Sequence, residues 1–315
     1  MTTSEAGVSR RALLKAAAAL PLAAALPVQA AAAAGSSVTQ LRRTVPASGE
    51  TIPVLGYGTS RIFNDADGAA DDERLAPVLE VFFELGGAVI DTSPMYGNSE
   101  ANVGRLLAQL PGAAGAFLAT KVWTRGEAAG RAQMQRSADL LGAATIDLMQ
   151  VHNLLDWRTQ LATMRELREQ GKLRLLGITT YGGNSHDELA AIMRSEALDF
   201  IQVSYSIANR RIEERLLPLA ADRGIAVMAN RPFQRGALFR RVKGQTLPPW
   251  TSDIGVESWG QFFLKFIIGH PGVTSVIPAT SKVRHMRDNM QAGMGPLPDG
   301  AMREEMARWF QALPG

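Results

Sequence analysis

The 315-residue sequence contains no cysteine. Disulfides, iron–sulfur clusters, thiolate zinc sites and a cysteine nucleophile are therefore excluded. Only four histidines are present (His152, His186, His270 and His285), and no paired-acid or metal-ligand constellation accompanies them, so no metal is expected. Aromatic residues are sparse, at 6%. Beyond residue 34 no run is long and apolar enough to span a bilayer. A complete Gly-x-Gly-x-x-Gly is also missing. Gly56-Tyr57-Gly58-Thr59-Ser60-Arg61 begins as one but lacks the third glycine, which speaks against an open-sheet dinucleotide fold. What remains is an ordinary globular composition, 46% hydrophobic and 20% charged, sufficient for a large core.

The basic residues are unevenly placed. Arg10, Arg11 and Lys15 against Glu5 account for +2 of the formal +3 charge, so the rest of the chain is near neutral and nucleic acid is not an expected partner. Fourteen of the first 34 residues are alanine. A polar start, the Ser9-Arg10-Arg11-Ala12-Leu13-Leu14-Lys15 segment and a weakly apolar run to Ala34 resemble a twin-arginine (Tat) export signal. Val28-Gln29-Ala30 reads as a small-x-small cleavage site, with a second at Ala32-Ala33-Ala34. The resemblance implies a signal over residues 1–30, the Tat translocation machinery as a partner, and export to the periplasm. Pro21 and Pro27 break the apolar run, so no stable membrane anchor is expected. Residues 31–43 are expected to be a flexible mature N-terminus and 44–315 one domain.

That domain alternates two patterns. Strand-like apolar runs occupy 52–58, 88–91, 116–122, 146–152, 173–179, 200–204, 225–229 and 273–278. Several are near-continuous, as parallel strands buried on both faces require. Helical patterns occupy 72–85, 100–110, 131–141, 158–170, 186–195, 211–223, 257–268 and 283–292, with an extra one at 299–313. Ser185 and Glu188 have capping-box spacing, and Gly171, Gly224 and Gly269 stand where a left-handed helix end is expected. Residues 233–256 are the longest irregular stretch. Eight strand–helix units predict an α/β fold, a single (β/α)8 TIM barrel; a doubly wound open sheet is the competing architecture.

Four polar or titratable residues stand at the ends of apolar strand patterns: Asp91 and, just beyond, Tyr96 in Asp91-Thr92-Ser93-Pro94-Met95-Tyr96-Gly97, Lys121 in Ala119-Thr120-Lys121, and His152 in Gln150-Val151-His152. In a barrel those ends meet at one face. The Asp-x4-Tyr, Lys, His order resembles the aldo-keto reductases, and the resemblance extends over essentially all of the chain after its leader. It implies an oxidoreductase that reduces an aldehyde or ketone to an alcohol, or the reverse, with NADPH or NADH. Tyr96 would be the proton donor, Lys121 would lower its pKa, Asp91 would hold Lys121, and His152 would hydrogen-bond the carbonyl oxygen.

The resemblance also implies a nucleotide site, with departures. Gly58 and Thr59 match a turn that touches the cofactor. Gly177-Ile178-Thr179-Thr180 stands where the family has Gly-Val-Ser-Asn, so Thr179 keeps a hydroxyl and Thr180 lacks the amide. Gln202 matches the carboxamide-binding glutamine. Asn230-Arg231-Pro232-Phe233 replaces Tyr-Ser-Pro-Leu, so Asn230 cannot supply the stacking ring, while Arg231 or Arg235 is placed to neutralise pyrophosphate. Thr280 and Asn289 match the adenosine side. Ala279 and His285 stand at positions that carry cations in NADP-preferring members, which weakens the family's lean toward NADPH. Trp123 and Trp250 are candidates either for the substrate pocket or for packing. Without a long C-terminal loop the site is expected to be open, and a monomer is expected. Thr180 and Asn230 keep one alternative in view: a nucleotide-binding, redox-sensing module on the same fold with little turnover.

Overall fold

The computed structural model describes residues 39–64 and 69–313; the expected leader and both expected cleavage sites lie outside them. Two short strands, β1 (Arg42–Thr44) and β2 (Thr51–Pro53), form an antiparallel hairpin. Eight more pair in parallel in chain order: β3 (Tyr57–Gly58), β4 (Val89–Asp91), β5 (Phe117–Val122), β6 (Ile146–His152), β7 (Leu173–Thr180), β8 (Phe200–Ser204), β9 (Ala226–Asn230) and β10 (Ser275–Val276). The ring closes where the Gly56 N–H donates to the Val276 carbonyl at 2.9 Å and the Gly58 N–H to that of Pro278 at 3.0 Å. This is the barrel and not the open sheet.

Strand parity decides what each residue faces. On β6, Leu148, Gln150 and His152 share the inner face, while Met149 and Val151 join the larger core beneath the helices. The same alternation runs through Val89 and Asp91, Ala119 and Lys121, and Phe200 and Gln202. In every case the inner face is apolar at the N-terminal end of the strand and polar at its C-terminal end. The apolar half forms an interior cluster of Val89, Phe117, Leu148, Leu175, Phe200 and Met228 with their neighbours. Val45 and Ile52 belong to it, so the β1–β2 hairpin covers the N-terminal end of the barrel.

Helices α1 (Ala69–Glu84), α2 (Ser99–Leu107), α3 (Glu127–Leu141), α4 (Trp157–Glu169), α5 (His186–Ser195), α6 (Leu216–Arg223), α7 (Ala237–Arg241), α8 (Trp259–Ile268), α9 (Val283–Ala292) and α10 (Gly300–Ala312) account for the remaining regular elements apart from short 3-10 turns. No helix of the described residues is long and apolar enough to cross a membrane.

Several local expectations are corrected. The run 52–58 is two strands, because the chain leaves the hairpin at Pro53 before entering the barrel. The end of the expected flexible segment is tied down: Gln40 donates to the Met290 carbonyl at 2.5 Å, the Leu41 N–H to that of Gly293 at 2.8 Å, and the Arg43 guanidinium to that of His270 at 2.8 Å. Ser185 makes no side-chain cap, since it ends a 3-10 turn with ψ near 4° instead of the extended backbone a capping serine needs. Ser258 and Asp299 cap α8 and α10 instead. Gly171 and Gly224 are left-handed, but Gly269 has φ −65° and is small because a Cβ would lie 2.7 Å from the Pro298 ring. The stretch 233–256 contains α7 and a 3-10 turn, Pro249–Ile254.

Candidate active site

The polar ends of the inner strand faces converge. Asp91 ends β4, and Lys121 stands on β5 with no exposed side-chain surface. The Lys121 Nζ donates to both Asp91 carboxylate oxygens, at 2.9 and 2.8 Å, and to the Thr92 carbonyl at 2.6 Å. All three ammonium protons thus have acceptors. Burial alone would lower the Lys121 pKa, but Asp91 and then Tyr96 outweigh it, and the net direction is upward. The ammonium therefore stays charged at neutral pH.

Tyr96 lies on the loop after β4, with the Lys121 Nζ 5.1 Å from its ring centroid. Burial pushes the phenol above its ordinary value, and the Lys121 charge pulls the other way without prevailing. Lys121 thus acts in the expected direction, but burial sets the net direction, and the phenol is protonated at neutral pH. His152 ends β6 with its ring edge-on to Tyr96, 5.9 Å between centroids. Burial, reinforced by Lys121, lowers its pKa to about 3, so the imidazole is neutral at physiological pH. Its Nδ1 is 3.0 Å from the Ser93 hydroxyl, which already accepts from the Met95 N–H at 3.2 Å. Ser93 can donate its own proton to Nδ1, an arrangement that leaves the imidazole proton on Nε2.

Beneath this group the inner positions are amides. Gln202 donates to Asp91 Oδ1 at 2.7 Å, as does Gln150 at 3.2 Å. Gln202 Oε1 accepts from Asn230 at 3.2 Å and from the Thr179 hydroxyl at 3.3 Å. The strand ends and loops enclose a cavity of about 610 Å3, lined by Asp91, Tyr96 and His152, by Gly58, Thr179, Gln202 and Asn230, and by Arg231 and Arg235.

The remaining expected residues are placed differently. Gly58 lines the cavity, but its size is also dictated by packing: a Cβ there would lie 2.9 Å from the Ile277 carbonyl oxygen across the closing seam. Thr59 is fully buried, donating to the Asp91 carbonyl and accepting from Ser99. Thr180 faces away from the cavity and accepts from the Gly182 N–H. Thr280 accepts from the Lys282 N–H; with His285 and Asn289 it follows β10, and none of the three lines the cavity. Trp123 is exposed beside the mouth, its ring 6.4 Å from that of His152. Trp250 packs on Phe262 at 6.2 Å and does not line the cavity. Sequence reasoning passed over Ser93, Gln150, Met95, Tyr181 and Phe239. The first two could have been found from strand parity and a search for buried polar partners.

Seven non-glycine residues of the described chain have positive φ: Arg61, Asn153, Leu154, Asp156, Arg231, Gln234 and Arg235. All seven follow barrel strands at the cavity end. Backbone strain of this kind persists where the surrounding structure over-determines it, and it clusters at functional sites.

Comparison with known proteins agrees with this geometry. The model of the aldo/keto reductase family matches residues 54–306. The methylglyoxal reductase YeaE of Escherichia coli is 28% identical over 256 residues, covering 79% of this chain and 88% of that protein. The NADH-specific methylglyoxal reductase of Escherichia coli is also 28% identical, over 63% of this chain and 69% of its own. An aldo/keto reductase of Klebsiella pneumoniae, solved in complex with NADP and acetate, superposes with a TM-score of 0.72 at 25% identity, covering 87% of this chain and 96% of that one. With its tetrad order, its closed barrel and a family match that spans nearly the whole barrel, the chain belongs to the aldo/keto reductase family.

Proposed function

We propose that Asp91, Tyr96, Lys121 and His152 catalyse the reduction of a small aldehyde or ketone to its alcohol. The chain is an NAD(P)H-dependent oxidoreductase by family. The observation that carries the role assignment is the buried Lys121, paired with Asp91 and held beside a protonated Tyr96. Methylglyoxal reductases among the relatives suggest small reactive carbonyls as substrates here.

The residues present fit a nicotinamide nucleotide. The cavity runs from Tyr96 past Thr179, Gln202 and Asn230 to Gly236 and Ala279, and Arg235 has no ion-pair partner among the described residues. Thr179, Gln202 and Asn230 would hold the carboxamide, the turn at Arg235 the diphosphate, and Thr280, His285 and Asn289 the adenosine side, with Gly58 forming part of the cavity wall. When bound, the reduced nicotinamide supplies a hydride to the carbonyl carbon. The carbonyl π pair then moves onto oxygen, where the Nε2–H of neutral His152 donates a hydrogen bond and the Tyr96 hydroxyl gives up its proton. The Lys121 charge stabilises the phenolate until solvent reprotonates it.

Tyr96→Phe should retain nucleotide affinity, read by fluorescence titration with NADPH and NADH in parallel, while kcat falls about 10²- to 10⁴-fold. Undiminished reduction of an aldehyde panel by this variant would refute the mechanism.

A further inference from the structure

We propose that the carbonyl substrate carries a carboxylate on an apolar body, and that the Arg231 guanidinium grips that carboxylate. The proposal rests on the carbonyl-reductase reading above and names the substrate class of the same site. Among the described residues lining the cavity there are three arginines, Arg61, Arg231 and Arg235, and one acid, Asp91. Asp91 is already matched by Lys121. The nucleotide diphosphate would offset two of these three positive charges, which leaves one for a second anion.

Arg231 is singled out by its support. It is the first residue beyond β9, half-buried, and its guanidinium carbon lies 4.1 Å from the Tyr181 ring centroid. Stacking fixes the guanidinium plane and leaves the N–H donors at its edge. Those donors meet no hydrogen-bond acceptor or ion-pair partner among the described residues. A preoriented fork without a protein partner matches the bidentate geometry of a carboxylate. The residue holds this position at φ +53°, a conformation that suits glycine better than arginine. Arg231 and Tyr96 line the same cavity, so a carboxylate held by the fork belongs to a molecule within that cavity. Arg235, four residues on at the turn before α7, remains for the nucleotide diphosphate.

The apolar part of the substrate is read from the rim. Met95, Trp123, Tyr181 and Phe239 are the exposed large hydrophobic side chains of the described residues. Three of them line the cavity, and Trp123 stands beside His152. Exposed apolar side chains gathered at one opening mark a binding surface. An oxo acid with a hydrophobic body fits both features. The reaction balances as before: hydride to the carbonyl carbon, the Tyr96 proton to its oxygen, and a carboxylate that is unchanged.

Phenylglyoxylate and its methyl ester test this, because they share the ketone and differ in charge. The ester is the more electrophilic, so preference for the acid reports recognition. The wild-type protein should favour the acid in kcat/KM by about tenfold or more. Arg231→Gln should lower the acid-to-ester ratio about thirtyfold, the size of a lost charge-assisted hydrogen bond. Arg231→Lys, which keeps charge but loses the fork and the stack, should fall between. Calorimetric binding of phenylacetate to the NADP-loaded protein should weaken in parallel, a readout independent of turnover. If Arg231 serves the nucleotide diphosphate instead, Arg231→Gln weakens NADPH binding and leaves the ratio unchanged, which overturns the proposal. Reduction of the ester with no preference for the acid overturns it while leaving the carbonyl-reductase reading intact. Reduction of no carbonyl compound overturns both.

Discussion

His152 and Lys121 are both buried at the same end of the barrel, yet one is neutral and the other charged. Lys121 has a carboxylate within hydrogen-bond reach and keeps its proton, whereas His152 has only the Ser93 hydroxyl and the repulsion of Lys121, and stays neutral. This has a stability consequence. In the unfolded chain the imidazole titrates near its ordinary value of about 6.5, and in the fold at about 3. Between those values the unfolded state binds a proton that the fold refuses, so stability present above pH 6.5 is lost as pH falls toward 3. The loss reaches roughly 2 kcal/mol by pH 5. Urea midpoints at pH 7.5 and 5 should therefore separate more for the wild type than for His152→Gln, and equal separations would refute this. At this scale the tetrad was legible because four unusual residues stood at four strand ends in a known order. Thr180 was not legible in the same way: it is one residue from Thr179, and strand parity sends it to the other face. Ser93 went unnoticed because its partner lies 59 residues away.

The strand-bearing elements were legible where burial on both faces gave continuous apolar runs, as in β5 to β8. The loops were not, because turn geometry depends on tertiary contacts that composition does not encode. Those loops hold the left-handed residues after β3, β6 and β9. A non-glycine residue in a sparsely populated conformation costs about 1–3 kcal/mol. The three loops should therefore open at lower free energy than the strands that precede them. Native-state hydrogen exchange followed by mass spectrometry should show peptides over 153–156 and 231–236 exchanging well before those over 117–122 and 146–151. Equal protection would show that the strain is fully offset locally. The seam between β3 and β10 rests on an equally local fact, the absence of a Cβ at Gly58, which allows the Ile277 carbonyl to approach.

Across the whole molecule, the eightfold alternation was the most readable feature of the sequence, because each strand–helix unit repeats the same burial logic without repeating residues. The N-terminal hairpin was hidden within it, since its second strand runs in sequence almost directly into the first barrel strand. Residues 1–30 are proposed to be a Tat-type export signal leading to the periplasm. Arg10→Lys with Arg11→Lys should hold the protein in the cytoplasm on cell fractionation, and unimpaired export would refute that assignment. The packed interior, Phe117, Leu148, Phe200 and Met228 with Val45 and Ile52 of the hairpin, makes the barrel a well and not a pipe. With the floor filled in this way, whatever enters the cavity leaves by the same end of the barrel. Traffic shares one entrance: a product alcohol must clear the rim before the next carbonyl compound can take its place.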